Sequence, residues 1–393
     1  MRPRPLPAPG PFARVDERDT IFSRARLRIG SALHRSYYGR RPDLQHADDR
    51  TRQLRQLATP GGQRFRPLDA ALIQACFEAS DLVAEAVGRD EDPSGADGLG
   101  PGVDHPADWP TLDADGDPGV LAASLKVAAR FLGAADVGIA DLEPGFVYSH
   151  RGRPLERHGE SIDMGHRSAI VLVFPMREPW VGTSPELPAT AETARVYQQT
   201  GAACFALART LQRLGVGARA HVDSNYLVMC PPLAVDAGLG ELGRNGLLVH
   251  RTLGPGVRLG VVTTDAVIQP DSAECHGVAD FCRICAKCAE HCPAGAIPTG
   301  APSRMRGADK WPLQAERCYH YWRSQGSDCG VCVRTCPFAK PDTPMHRCVR
   351  ETIRRTTILN RLILLMDDVV YGHRTRGDGF PAPPIAGEAG STP

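Results

Sequence analysis

Apolar residues recur along this chain at two different periods. IFSRARL and LIQACFEASDLVAEAV repeat at helical spacing, the second with its apolar residues on one face. LAASLKVAARFLG predicts a helix stopped by Gly133, and DVGIADL a short strand. SAIVLVFPM, Ser168 to Met176, is an unbroken apolar run with strand propensity and predicts a buried sheet member. Thr193 to Gly215 returns to the helical period over a long stretch and ends on a glycine stop. VRLGVVTTD, Val257 to Asp265, predicts another strand, and ETIRRTTILNRLILLMDDVVYG one more amphipathic helix. Helices alternating with buried strands imply a layered α/β core.

Polar stretches divide these elements. Glu91 to Gly119 is rich in Gly, Pro and Asp and predicts a long loop or linker. The final DGFPAPPIAGEAGSTP has a disordered composition. A chain of 393 residues holds one large domain or two to three small ones. The expected divisions are a helical segment and linker at 1–110, the α/β core at 111–270, a cysteine-rich domain at 271–345, and a C-terminal helix and tail at 346–393.

Charge narrows the function classes. Lys and Arg number 46 against 45 Asp and Glu, so the net charge of +1 gives no general attraction to nucleic acid or anionic membrane. The N-terminal sequence has prolines and charges but neither a secretory apolar core nor a twin-arginine signal, and no later run is long enough to span a bilayer. The expectation is a soluble cytoplasmic protein whose thiols serve metals rather than disulfides.

The cysteines carry the sharpest chemistry. One run is Cys282-x2-Cys285-x2-Cys288-x3-Cys292-Pro293, the other Cys318-x10-Cys329-x2-Cys332-x3-Cys336-Pro337. In a bacterial-ferredoxin-like domain with two [4Fe–4S] clusters, the fourth cysteine of each run, followed by proline, ligates the other cluster. That rule assigns Cys282, Cys285, Cys288 and Cys336 to one cluster and Cys292, Cys318, Cys329 and Cys332 to the other. Structural zinc also uses C-x2-C pairs, but a zinc site gives no reason for two C-x3-C-P endings. Cys76, Cys204, Cys230, Cys275 and Cys348 fall outside the spacing and read as small buried apolar residues.

From about Asp19 to Gly372 the chain resembles the reductive dehalogenases, corrinoid iron–sulfur enzymes that remove halogens from organic compounds. DTIFSRARLRIGSALHRSYYGRRPDL, PPLAVDAGLGELGRNGLLVHRTLGPGVRLGVVTTD, FCRICAKCAEHCPAGAI, CYHYWRSQGSDCGVCVRTCPF and LLMDDVVYG together carry the likeness. The resemblance implies a mixed α+β or α/β fold: a nitroreductase-like corrinoid-binding core joined to the dicluster domain. It implies cobalamin bound base-off, in keeping with the lack of a D-x-H-x-x-G motif. It also implies a catalytic tyrosine opening the long helix, here Tyr197, and an asparagine in the loop after it, here Asn225. A basic residue in the strand before the cysteines would sit beside the tyrosine: Arg258, with Arg244 the second choice. A guanidinium beside a phenol favours the phenolate left after proton donation.

The implied partners are a small organohalide substrate and a separate electron donor, whether ferredoxin, flavodoxin or a reductase. The sequence ends soon after its last helix, with no fused reductase domain of the kind some soluble members carry. Two other readings compete. Epoxyqueuosine reductase, a tRNA-modifying relative, has an aspartate just before its tyrosine, where this chain has Val196, and a longer first gap in its second cysteine run. A dicluster electron-transfer protein without corrinoid is the other.

Overall fold

The computed structural model describes residues 14–58, 67–89, 111–112 and 116–372. The expected linker lies largely outside these residues, and the expected disordered tail entirely so.

A four-stranded sheet forms the centre: β1 (Asp136–Asp141), β2 (Ser168–Pro175), β3 (Ala218–His221) and, after the short hairpin β4–β5 (Gly240–Leu242 and Leu248–His250), β6 (Val257–Thr264). Its order is β1-β2-β6-β3, with every neighbouring pair antiparallel. The unbroken apolar run of β2 follows from burial on both faces. Ile170, Leu172 and Phe174 join a core under the helices Pro67–Arg89, Pro118–Phe131 and Leu187–Arg213. Ala169, Val171 and Val173 join a second core built by residues 227–239, including the helix Cys230–Asp236, and by the β4–β5 hairpin. An apolar run reports coverage and not direction. The alternating pattern therefore fitted this mixed architecture without disclosing that the sheet is wholly antiparallel.

The long helix starts at Leu187, six positions before the predicted Thr193, with Pro188 in its first turn where a missing N–H costs nothing. Tyr197 thus stands inside the helix and does not open it. Thr193, Tyr197, Thr200 and Cys204 follow i, i+4, i+7, i+11 spacing along one face. Gly260 of β6 meets that face: a Cβ there would lie 2.3 Å from Cys204 Sγ and 2.6 Å from Thr200 Cγ2. The missing side chain lets strand and helix touch. Arg258, two residues back and so on the same strand face, is carried to the level of Thr193 and Tyr197.

The cysteine-rich region packs onto the sheet domain through its own apolar cluster of Val249, Phe281, Trp311, Phe338 and Ile353 with Cys282, Cys285 and Cys336. Beyond it the expected single C-terminal helix is two, Pro344–Arg355 and Asn360–Tyr371, with a break at Thr356–Leu359. Of the extra cysteines, Cys204 and Cys230 are buried as expected, Cys76 and Cys275 are half-buried, and Cys348 is exposed. Its place on a surface helix of strongly one-sided polarity explains the exception. Among the described residues no helix is long and apolar enough to cross a membrane.

Candidate active site

A cavity of about 690 Å³ opens where the sheet domain meets the cysteine-rich region. Tyr197, Tyr226, Arg153 and Arg258 line one part of it, the β4–β5 hairpin another, and residues 305–313, between the two cysteine runs, a third. The lining is mostly apolar, and its described residues include no histidine.

Tyr197 and Arg258 meet. The guanidinium carbon lies 5.1 Å from the ring centroid, a cation–π contact. Arg258 Nη2 donates to Thr193 Oγ1 at 3.0 Å and lies 3.8 Å from an Asp328 carboxylate oxygen. Its Nε–H is buried with no acceptor among the described residues. Burial pushes the Tyr197 phenol above its ordinary value, and the Arg258 charge opposes that rise. The phenol is therefore held protonated at neutral pH while a cation stands ready for its conjugate base. A second aromatic–cation group adjoins it. Arg153 lies between the rings of Phe22 and Tyr226, at 5.0 and 5.2 Å, and pairs with Asp223 at 3.2 Å and Glu17 at 3.7 Å.

The cysteines of the two runs lie near one another. Cys336 feels the charges of Cys282, Cys285 and Cys288, whereas Cys332 feels those of Cys329, Cys318 and Cys292, and also of Cys288. Burial, then neighbouring thiolates, drive the Cys332, Cys336, Cys288 and Cys318 thiols up, to about 12 for the last two. Such crowding of sulfur is tolerable as thiolate only around a bound cation. Among the described residues no three His, Cys, Asp or Glu side chains converge closely enough to hold a metal ion.

The β4–β5 hairpin connects cavity and cysteines. Glu241, 1% exposed, accepts from the backbone N–H groups of His276, Gly277 and Ala279 at the start of the helix Val278–Ile284, which carries Cys282. Arg244, 2% exposed, donates to the carbonyls of Cys282 and Cys285 at that helix's other end and to those of Pro298 and Gly300. Its guanidinium also lies 4.7 Å from the ring centre of Trp311, on the cavity wall. Acid at the N-terminus and base at the C-terminus match the helix dipole.

The 4Fe-4S dicluster domain family matches residues 281–340. The tetrachloroethene reductive dehalogenase of Desulfitobacterium hafniense is 32% identical over 273 residues, 58% of this chain and 49% of that protein. The chain is a homologue of the reductive dehalogenases. The enzyme of the same name from Sulfurospirillum multivorans is 31% identical over 291 residues, 65% of this chain and 58% of its own. The chain thus spans about half the length of the first of these relatives. The solved structure of the catabolic reductive dehalogenase NpRdhA shares the fold, with a TM-score of 0.73 at 24% identity over 95% of this chain and 49% of that one. The epoxyqueuosine reductase of Pseudomonas aeruginosa is 30% identical over 232 residues, 52% of this chain and 60% of its own.

Against this dehalogenase background the residues matched from sequence fare differently. Tyr197 and Arg258 come together at the cavity. Arg244 does not join them, because all its donors serve the cysteine-bearing loops. Asn225 is buried with its carboxamide committed, accepting from Arg219 Nη2 at 2.7 Å and donating to the Ala84 carbonyl at 2.9 Å, and it does not line the cavity. Its neighbour Tyr226 does. Val196 is fully buried in the helical core and offers no acid beside the tyrosine. Thr193, Asp328, Arg153 and Glu241 went unnoticed in the sequence. Only Asp328, next to Cys329, gave a signal there, and an acidic neighbour of a ligand is too common a feature to single out.

Proposed function

We propose that this chain is a corrinoid- and iron–sulfur-dependent reductive dehalogenase, replacing halogen by hydrogen in an organohalide with electrons from a separate ferredoxin, flavodoxin or reductase. The observation that carries the reading is the Arg258–Tyr197 contact on a cavity bordered also by the segment between the cysteine runs. The net change is R–X + 2e⁻ + H⁺ → R–H + X⁻. In this reading Cys282, Cys285, Cys288 and Cys336 would hold one [4Fe–4S] cluster and Cys292, Cys318, Cys329 and Cys332 a second, which would supply electrons to the cavity. Cobalamin, base-off, would be held in the cavity and would supply strongly reducing chemistry toward a carbon–halogen bond.

The protein's own residues do the rest. The apolar lining excludes water from the reacting carbon. Tyr197 holds the proton on its phenol oxygen and donates it to the carbon that loses halide. Arg258 stabilises the phenolate left behind, which keeps the donor usable although burial raises its pKa. Val196, where the tRNA-modifying relatives have an aspartate, disfavours the alternative chemistry.

The test is anaerobic reconstitution with iron, sulfide and cobalamin, followed by halide release from aryl and alkyl halides with a reduced viologen as donor. About eight iron atoms per chain are expected, four for each cubane. Tyr197→Phe should retain both cofactors and slow turnover about 10²–10⁴-fold, the usual value of general acid catalysis. Parental turnover in that variant, at equal cobalamin content, would refute the assignment of the proton donor. Absence of halide release from every substrate by the fully loaded parent would refute the activity.

A further inference from the structure

We infer that Asp328 is a positioning residue, which, through Thr193, fixes Arg258 over Tyr197 and so ties the loop of the second cysteine group to the proton-donating pair. The inference rests on the dehalogenase reading of the cavity. Asp328 immediately precedes Cys329. Its carboxylate accepts from Thr190 Oγ1 at 2.9 Å and from Thr193 Oγ1 at 2.7 Å, and its backbone N–H donates to Thr190 Oγ1 at 3.1 Å. Thr190, Thr193 and Asp328 are all buried.

The direction of the chain is forced. A guanidinium can only donate and a carboxylate can only accept. Thr193 gives its single hydroxyl proton to Asp328, which leaves an oxygen lone pair to receive Arg258 Nη2–H at 3.0 Å. Each bond polarises the next, and the carboxylate 3.8 Å from the guanidinium adds direct attraction. Thr193 lies one helical turn before Tyr197, so the relay and the phenol share a rigid element. A hydroxyl is needed at 193; an isosteric valine cannot serve.

The relay can be read without turnover. A fluorinated tyrosine installed at position 197 has a lower phenol pKa, which brings its titration into an accessible range. It is followed by ¹⁹F NMR in iron-loaded, oxidised protein without cobalamin. Thr193→Val should release Arg258 and make the phenol about tenfold less acidic, the low end of the effect of an adjacent opposite charge. Thr193→Ser should restore the parental titration. Thr190→Val, which removes a bond to the same carboxylate without cutting the chain, should leave it unchanged. Asp223, Arg153 and Asp328 are the other charged groups acting on Tyr197, Asp223 and Asp328 raising its phenol and Arg153 lowering it, and none of the three is replaced in these variants. In loaded enzyme, Thr193→Val should lower kcat about tenfold with KM within twofold.

Parental titration in Thr193→Val overturns the inference. If that variant takes up no iron, Thr193→Ala, which cannot overpack, is read in its place. Failure of both to take up iron while Thr190→Val succeeds also overturns it, since the hydroxyl would then serve folding and not position. A shifted titration in a protein whose parent releases no halide supports the relay while refuting the dehalogenase reading. Normal turnover with an unshifted titration does the reverse.

Discussion

Two arginines fitted the sequence pattern for the basic residue, and the structure gives them different partners that a pair of substitutions can separate. Arg244→Met keeps the length of the side chain and removes its charge and donors. The carbonyls of Cys282, Cys285 and Pro298 then lose the guanidinium, whereas Gly300 keeps the Trp311 indole N–H at 2.9 Å. Leaving a buried acceptor unsatisfied costs about 1–3 kcal/mol. Partial repair by local shifts brings the expected loss to about 3–5 kcal/mol, a large share of the roughly 5–15 kcal/mol that holds a folded protein together. At about 2–4 °C per kcal/mol for a chain of 150–250 residues or more, the melting temperature should fall by roughly 6–20 °C. Arg258→Met removes one hydrogen bond, to Thr193, together with the longer attraction to Asp328 and the contact with the Tyr197 ring, so the stability loss should stay near 1–2 kcal/mol while halide release collapses. The assay pairs anaerobic thermal denaturation and iron analysis with turnover in both variants. An Arg244→Met protein that loads parental iron and melts within about 2 °C of the parent would refute the role given to the hairpin.

Other outcomes follow from the same geometry. Gly260→Ala should destabilise by about 1–3 kcal/mol through overpacking against Cys204 and Thr200, and should slow turnover by pushing Arg258 from Tyr197; denaturant melts and kinetics on one preparation check both. Burial alone would raise the Asp136 carboxyl, but the His250 hydrogen bond, the Arg251 charge and the Val137 N–H hold it at about 2. A folded pKa below the unfolded one stabilises above the unfolded value and is lost as pH falls toward 2, so Asp136→Asn should cost about 1–2 kcal/mol at pH 7 after allowance for solvent screening and nothing near pH 2, as pH-dependent urea melts would show. Because burial raises the Tyr197 phenol and the protonated form is the donor, turnover should hold through pH 9 and fall only beyond the ordinary phenol range. Arg258→Ala should move that alkaline limb further up while lowering the plateau, a pattern that a pH–rate profile reads directly.

The strands at Ser168 and Val257 were legible because burial on both faces leaves unbroken apolar runs. The short strand Ala218–His221 and the β4–β5 hairpin were not, because three or four residues carry too little period to detect. The start of the long helix was missed because its first turn, Leu-Pro-Ala-Thr, has no polar–apolar rhythm, although Pro188 is the kind of residue that begins a helix. The 4Fe-4S dicluster domain was legible from cysteine spacing alone. The choice between Arg258 and Arg244 was not, since both lie within two residues of glycines, in or beside a strand; only the carbonyls around Arg244 tell the two apart. Asn225 illustrates the opposite difficulty, a residue type suited to catalysis whose amide is consumed by Arg219 and Ala84.

The crossing of the two cysteine groups bears on how the protein is made. On the proposed ligand assignment neither cluster is the property of one segment: Cys336 completes the first and Cys292 belongs to the second. During synthesis the first three thiols of the early run must wait for Cys336 before their cluster can close, so metal loading is a late event for both centres. Losing either cluster would release a cysteine that the other run supplies, and the loop beneath its neighbour with it. Iron scarcity should therefore yield loaded or empty molecules with few half-filled ones between, and the empty ones would present unfastened loops to cellular proteases.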